Sequence, residues 1–234
     1  MTTTTIHTSM GTDAATLTRL LSWLSPAFPV GGFAYSHGLE WAVEAGDVHD
    51  PATLSDWIDA QLAHGSGRTD AILLAHAHRA AGDGAALDAL AETARALAPS
   101  RERLLETTAQ GRAFAAAVAP WAMPGVVALA ARHGALMPYP IAVGAACGAA
   151  GILLSQALPA WLNAFAAWLI SAAVRLVPLG QAQGLHVQAA LESCIAATAQ
   201  DAAFATLDEI GGSCFRADLA SLRHETQYTR LFRS

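Results

Sequence analysis

Forty-two consecutive residues, His133 to Val174, pass without an aspartate, glutamate, lysine or arginine. In a chain that is 53% hydrophobic and 14% charged, such a run has two homes. It is buried on several sides at the centre of a helical fold, or it lies in a bilayer, where a spanning helix needs about 20 apolar residues. Gly144-x-x-x-Gly148 within the run is a spacing that lets helices approach closely. Pro138, Pro140 and Pro159 cut the run, and the Gly/Ala-rich piece between them is only weakly apolar. No arginine cluster marks a flank as cytoplasmic. A buried helical hairpin is the expectation; an α-helical membrane-associated protein using residues 133–174 is the alternative.

Helical periodicity continues on both sides. Leu17, Leu20, Leu21 and Leu24 form one stripe, and Leu54, Trp57, Ile58 and Leu62 another, opened by Asp50 as N-cap and Pro51 at the first helical position. Leu87, Leu90, Ala94 and Leu97 repeat the pattern. Ser100 can cap a helix carrying Leu104, Leu105, Thr108 and Phe114. Leu158, Leu162, Phe165, Leu169 and Leu176 run through a segment apolar nearly all round, so that helix should be central. Residues 183–199 read as one more helix and 201–210 as a short one stopped by Gly211-Gly212. No segment alternates as a strand would. The prediction is all-α: a single-domain bundle of roughly ten helices over residues 13–215, a disordered start over 1–12, and a C-terminal partner-binding tail over 216–234.

Charge and composition remove several functions. The net charge of −6 argues against nucleic-acid binding. All thirteen basic residues are arginine, and without a lysine the chain cannot supply a Walker A loop. Three cysteines without a C-x-x-C give neither a disulfide framework nor a thiolate zinc pattern. His76 and His78 sit two apart on a helix and point about 200° away from each other, and the other histidines are scattered, so no metal site is predicted. No secretion signal opens the chain, and a cytoplasmic location is expected. Residues 1–215 carry 9 Arg against 17 acids, whereas residues 216–234 carry 4 Arg against 2 acids. The C-terminal end is a separate electrostatic object.

Three short stretches stand out. The first is Ser25–Glu40, SPAFPVGGFAYSHGLE. Ala34-x-Ser36-x-Gly38 nearly matches the nucleophile elbow, with Gly31-Gly32 as an oxyanion loop. The elbow needs a buried strand before the serine, and Pro26 and Pro29 stand there instead. A serine hydrolase using Ser36 is therefore only a lesser alternative. As plain structure, Pro29 to Gly32 makes a tight turn and Ser36 caps the next helix. As function, Phe33 and Tyr35 on a stiff Pro/Gly frame suit a contact surface. The second stretch, Val174–Gly184, breaks the most hydrophobic helix at Pro178 and Gly180 and places Arg175, Gln181 and Gln183 at the break. A broken helix beside a buried region is a helix–turn–helix corner or a functional spot. The third is the tail, RHETQYTRLFRS, Arg223–Ser234. Tyr228, Leu231 and Phe232 would share a face if helical, with Arg230 and Arg233 beside it. That suits a docking segment or a terminus packed on its own domain.

Together these stretches resemble the urease accessory protein UreF family. The family's S-P-x-x-P-x-G-x-[FY] turn is matched by Ser25, Pro26, Pro29, Gly31 and Phe33, and its S-x-G-L-E by Ser36, Gly38, Leu39 and Glu40. Its P-L-G-Q-x-x-G-Q segment is matched by Pro178, Leu179, Gly180, Gln181 and Gly184, with Leu185 where a second Gln is usual. Its H-E-x-Q-Y-x-R-L-F-x-S ending is matched by His224, Glu225, Gln227, Tyr228, Arg230, Leu231, Phe232 and Ser234. The resemblance implies an all-helical homodimer that is not an enzyme and carries no cofactor. It implies a cytoplasmic chaperone component of nickel insertion that binds UreD (also called UreH). With UreD it recruits the GTPase UreG to the urease apoprotein and couples GTP hydrolysis to nickel delivery. The candidate partner-binding residues are Phe33, Tyr35, Ser36, Glu40, Arg175, Gly180, Gln181, Gly184, His224, Glu225, Tyr228, Arg230, Leu231, Phe232 and Arg233. Pro26, Pro29, Gly31, Gly32 and Gly38 are candidate turn formers. Arg175 is a candidate for the surface that meets the GTPase, with an arginine-finger role as a sharper version.

Overall fold

The structure, a computed structural model, describes residues 14–234; the expected disordered start over 1–12 lies outside the described residues. Twelve α-helices follow in order: α1 (Ala14–Trp23), α2 (Leu39–Glu44), α3 (Pro51–His64), α4 (Ser66–Arg79), α5 (Gly84–Ala96), α6 (Arg101–Ala117), α7 (Pro124–His133), α8 (Tyr139–Ala149), α9 (Leu154–Leu176), α10 (Gln181–Ala190), α11 (Glu192–Phe204) and α12 (Phe215–His224). Four short 3-10 turns join them, and no strand occurs among the described residues. The all-α reading holds.

Local chemistry sets the helix starts where the sequence suggested. Asp50 accepts a 2.8 Å bond from Thr53 N, with the Thr53 hydroxyl returned to the cap and Pro51 at the first position. Ser100 accepts from Arg103 N at 3.1 Å. Satisfying these otherwise orphaned N–H groups is worth about 1 kcal/mol per cap.

The charge-free run becomes α8 and α9, and burial accounts for it. Residues 139–147 of α8 are all buried, held chiefly between α4 and α6. The two glycines let α8 press on α4. A Cβ on Gly144 would stand 2.5 Å from Leu74 O, and one on Gly148 would collide with His78 O. Helix α9 is long and apolar enough to cross a membrane by length and composition, but most of it is buried in the fold, against α2, α3, α4, α10 and α11. The proline expectation needs correcting. Pro138 and Pro140 begin α8, but Pro159 lies inside α9. Its missing N–H frees only the carbonyl of Ser155, an exposed residue.

Two further boundaries differ from the sequence reading. The expected helix over 183–199 is two helices, α10 and α11, that turn at Leu191. Residues 201–204 complete α11 rather than opening a new helix, and a 3-10 turn follows at Leu207–Glu209. The chain beyond residue 215 is packed on the body. Helix α12 lies against α2 and α6, and Arg216 pairs with Asp47 at 2.7 Å while lying over the Trp41 ring.

Candidate partner-binding site

The Pro/Gly stretch builds a compact turn with alternating directions. Phe28 enters an aromatic cluster, 5.5 Å from Phe114 and 6.2 Å from Trp121 between ring centroids. Gly31 takes a φ of +76° and opens the 3-10 turn Gly32–Ala34. Gly32 faces Trp168, whose ring a Cβ would approach to 3.0 Å. The turn throws Phe33 outward, 68% exposed, and returns Tyr35 and Ser36 to the interior, 5% and 0% exposed. The expectation that Phe33 and Tyr35 share a surface thus fails for Tyr35. At Gly38, φ is again +76° and a Cβ would stand 2.5 Å from Ser221 N, so this glycine admits α12.

Ser36 corrects two expectations. It does not cap α2, whose N-cap is Gly38. Nor is it an available nucleophile: it is fully buried and its hydroxyl donates to the main-chain oxygen of Ser234. Its N–H donates to the same oxygen at 2.7 Å.

At the second stretch α9 ends with Leu176, and α10 begins after Gly180, whose N–H donates to Gln183 Oε1 at 2.9 Å. Gly180 and Gln181 are exposed, while Gly184 is buried, where a Cβ would lie 3.1 Å from Ile170 Cγ2. Leu185 is 71% exposed. Arg175 is the penultimate residue of α9. Its Nε donates to Ser171 O at 3.1 Å and its Nη1 to Phe33 O at 3.0 Å. Its guanidinium lies 3.7 Å from the Phe33 ring centroid and 4.3 Å from that of Phe232. Loop, helix break and tail therefore meet at one arginine. Partial burial lowers the Arg175 pKa without removing its charge.

The tail is not helical after His224, so Tyr228, Leu231 and Phe232 do not share a helical face. Residues 231–234 alternate instead: Leu231 and Arg233 are exposed, and Phe232 and Ser234 are buried. Their partners are groups far away in sequence. Glu40 accepts from Leu231 N at 2.6 Å and Phe232 N at 2.9 Å. Arg233 N donates to Ala34 O at 2.9 Å. Arg230 Nη1 donates to Glu102 Oε1 at 2.8 Å and the Ser234 hydroxyl to Glu106 Oε2 at 2.8 Å. His224 is fully buried between two of these carboxylates, Nδ1 2.6 Å from Glu102 and Nε2 3.2 Å from Glu40. Glu225 accepts from Arg101 N at 2.8 Å. Tyr228 stands free of the surface, fully exposed, and Leu231 is 64% exposed.

Beneath the tail lies a charged cluster. Burial pushes the Glu106 carboxyl upward, but Arg103 and His37, the latter at 2.7 Å, override it and hold the pKa down to about 2. His37 goes the other way: burial first, then the Arg103 charge, lowers its pKa. Asp70 is pushed up to about 6 by burial, against the pull of Arg103 3.9 Å away. His76 and His78 face different neighbours, Ala205 O at 3.0 Å and Ile152 O at 2.7 Å, and no group of three His, Cys, Asp or Glu among the described residues could hold a metal ion.

The structure therefore brings Phe33, Ser36, Glu40, Arg175, His224, Arg230, Leu231 and Phe232 together, and leaves Gly180, Gln181 and Tyr228 exposed around them. Glu102, Glu106, Arg103 and His37 were absent from the expected site. For the three on α6 a signal was available: the helix packs on both α8 and α12, and charged or polar residues interrupt its apolar ones, so some of its charges had to be buried.

A family model described as UreF matches residues 48–192. The chain belongs to the UreF family. Curated relatives agree over nearly its whole length. The urease accessory protein UreF of Bradyrhizobium diazoefficiens is 56% identical over 225 residues, 95% of this chain and 93% of its own. Proteins of the same name from Rhodopseudomonas palustris are 55% identical in strain BisA53, over 94% of each chain, and 57% in strain HaA2, over 95% of each. In this UreF-family chain the helix break lies within the matched segment, and the loop and the tail that meet it at Arg175 lie on either side.

Proposed function

We propose that this chain is a non-enzymatic component of urease maturation, acting in the cytoplasm as a homodimer. With UreD (also called UreH) it recruits the GTPase UreG to the urease apoprotein and couples GTP hydrolysis to nickel delivery. Nickel is the cargo, and the chain needs no cofactor of its own. The observation that carries this reading is the meeting of Phe33, Arg175 and Phe232, because it joins three separate stretches into one surface. Around it stand Phe33, Tyr228, Leu231, Gly180 and Gln181, all exposed, with Arg230 and Arg233 beside them on an otherwise acidic protein. Aromatic and arginine side chains of this kind dominate protein interfaces.

Within this surface Arg175 acts as an organiser. Its Nε and Nη1 are already donated and its guanidinium lies against both the Phe33 and Phe232 rings. To serve as an arginine finger it would have to let go of Phe33 and Phe232. Its contribution to the GTPase surface is thus to hold the loop, the tail and the neighbouring Gly180–Gln181 break in one arrangement.

Reconstitution tests the reading. Apo-urease, UreD, UreG, nickel and GTP are combined with and without this chain, and urease activity and bound nickel are measured. Activation that depends on the chain is expected. Full nickel loading without it would overturn the proposal.

A further inference from the structure

Two buried side chains carry polar atoms that nothing in the protein satisfies. His37 is 7% exposed and Gln61 3%. Each has one half of its hydrogen bonding in place. His37 Nε2 lies 2.7 Å from Glu106 Oε1, and Gln61 Oε1 accepts from the Ser66 hydroxyl at 3.4 Å. The other halves, His37 Nδ1 and Gln61 Nε2, have no partner in the protein, so they do not bond each other. Both residues line one recess where α3, α6 and α12 converge, with about 10 Å³ of room for the centre of a water molecule. That is about the least space that holds one water. A buried donor or acceptor left unpaired is costly, and here two of them face one small space.

The two atoms are complementary. Glu106 is ionised, its pKa held down to about 2, so it accepts and His37 Nε2 carries the proton. With its pKa lowered from 6.5, His37 is neutral at pH 7, and its Nδ1 is a bare acceptor. Gln61 Nε2 is a donor. A guest that satisfies both must accept from one and donate to the other, which neither a bare cation nor a bare anion can do, and the recess admits nothing larger than one water. We propose that the recess is a binding site for a single water, which accepts from Gln61 Nε2 and donates to His37 Nδ1, with Gln61 as its positioning residue. The Asp218 carboxylate is on the same wall to receive the second hydrogen. Supply is at hand: Ser66, Pro99, Arg103 and Asp218 also line a neighbouring cavity of about 170 Å³ in the same measure, which carries the Asp70 carboxylate. The water joins the bare nitrogen of a buried histidine to that larger space and is the path by which a proton reaches it. The site is a property of the fold and does not depend on the partner surface.

NMR of the full chain, isotope-labelled at the histidine nitrogens, tests it at neutral pH in wild type and Gln61→Leu. In wild type, His37 should show a protonated Nε2 and an unprotonated, hydrogen-bonded Nδ1, with a dipolar cross-peak from a long-lived water to its ring. Leucine removes the donor at similar size. It should abolish the water cross-peak and move the Nδ1 resonance to that of a free lone pair, while the Nε2 proton on Glu106 stays. If Gln61 served packing alone, both signals would be unchanged. A high-resolution crystal structure should place one water within hydrogen-bond distance of both His37 Nδ1 and Gln61 Nε2. A dry recess, a protonated Nδ1 or a direct His37–Gln61 bond overturns the proposal, as does a water signal that survives Gln61→Leu. Should Gln61→Leu fail to fold, the wild-type tautomer and the crystal structure decide alone.

Discussion

Replacing Arg175 by alanine removes a side chain at the end of α9 that touches both loop and tail. Its worth follows from its contacts. Stacking on Phe33, which is 68% exposed, is worth about 0.5 kcal/mol, and stacking on the buried Phe232 about 1–2 kcal/mol. The hydrogen bond to Phe33 O, made by a charged donor but open to water, adds about 1 kcal/mol. Arg175→Ala should therefore cost about 2.5–3.5 kcal/mol, a lowering of Tm by about 5–14 °C in a chain of this size. Urea unfolding of the single and double variants with Phe33→Ala and Phe232→Ala divides the sum. Coupling of about 0.5 kcal/mol to Phe33 and at least about 1 kcal/mol to Phe232 is expected. Arg175→Lys should restore little, because an ammonium has no planar face to stack. Couplings both below about 0.3 kcal/mol, the scatter of independent sites, would refute the view that Arg175 joins the three stretches.

Other expectations are smaller in scope. Phe232→Ala should lower stability by about 3 kcal/mol or more, since it empties a buried ring position, whereas Tyr228→Ala should stay within about 0.5 kcal/mol of wild type; the reverse order in a denaturation series would contradict the tail's direction. Gly144→Ala should cost about 2–3 kcal/mol, because its Cβ would stand 2.5 Å from Leu74 O on α4; a neutral effect on Tm would show that α4 and α8 are not in close contact. His37 has a pKa lowered from 6.5, so the native state keeps it neutral where the unfolded chain takes up a proton. Stability then falls as the pH drops below about 6.5, and His37→Gln should flatten that slope when urea midpoints are compared at about pH 7.5 and 6. Asp70 has the opposite sign. Its pKa, raised from 3.8 to about 6, makes it cost stability as the pH rises through that window, and Asp70→Asn should gain stability at neutral pH but not at pH 4.

The fold was legible because its determinants are local. Asp50-Pro51 and Ser100 announce helix starts through groups within three residues, and the charge-free run announces its own burial. The Pro159 position was not legible, since whether a proline ends a helix depends on whether its freed carbonyl reaches water. The tail was misread for a related reason. Tyr228, Leu231 and Phe232 have helical spacing, but the acceptors that fix this backbone are Glu40 and Ala34, nearly two hundred residues earlier. Periodicity carries no information about a hydrogen bond to a distant side chain. Tyr35 was placed outside with Phe33 because a 3-10 turn of three residues leaves no pattern in which to read its direction. Phe33, Arg175 and Phe232 were each singled out, but nothing in the sequence said that they touch.

The central claim, that the exposed side of the tail is where UreD docks, is tested most directly by titrating UreD into the full chain and into a Tyr228→Ala, Leu231→Ala variant. Both residues are exposed, so their loss should leave the unfolding midpoint unchanged. The account predicts that affinity falls by roughly thirtyfold or more, the scale of about 2 kcal/mol for a truncated interface anchor. Equal affinity of the two proteins for UreD would contradict it.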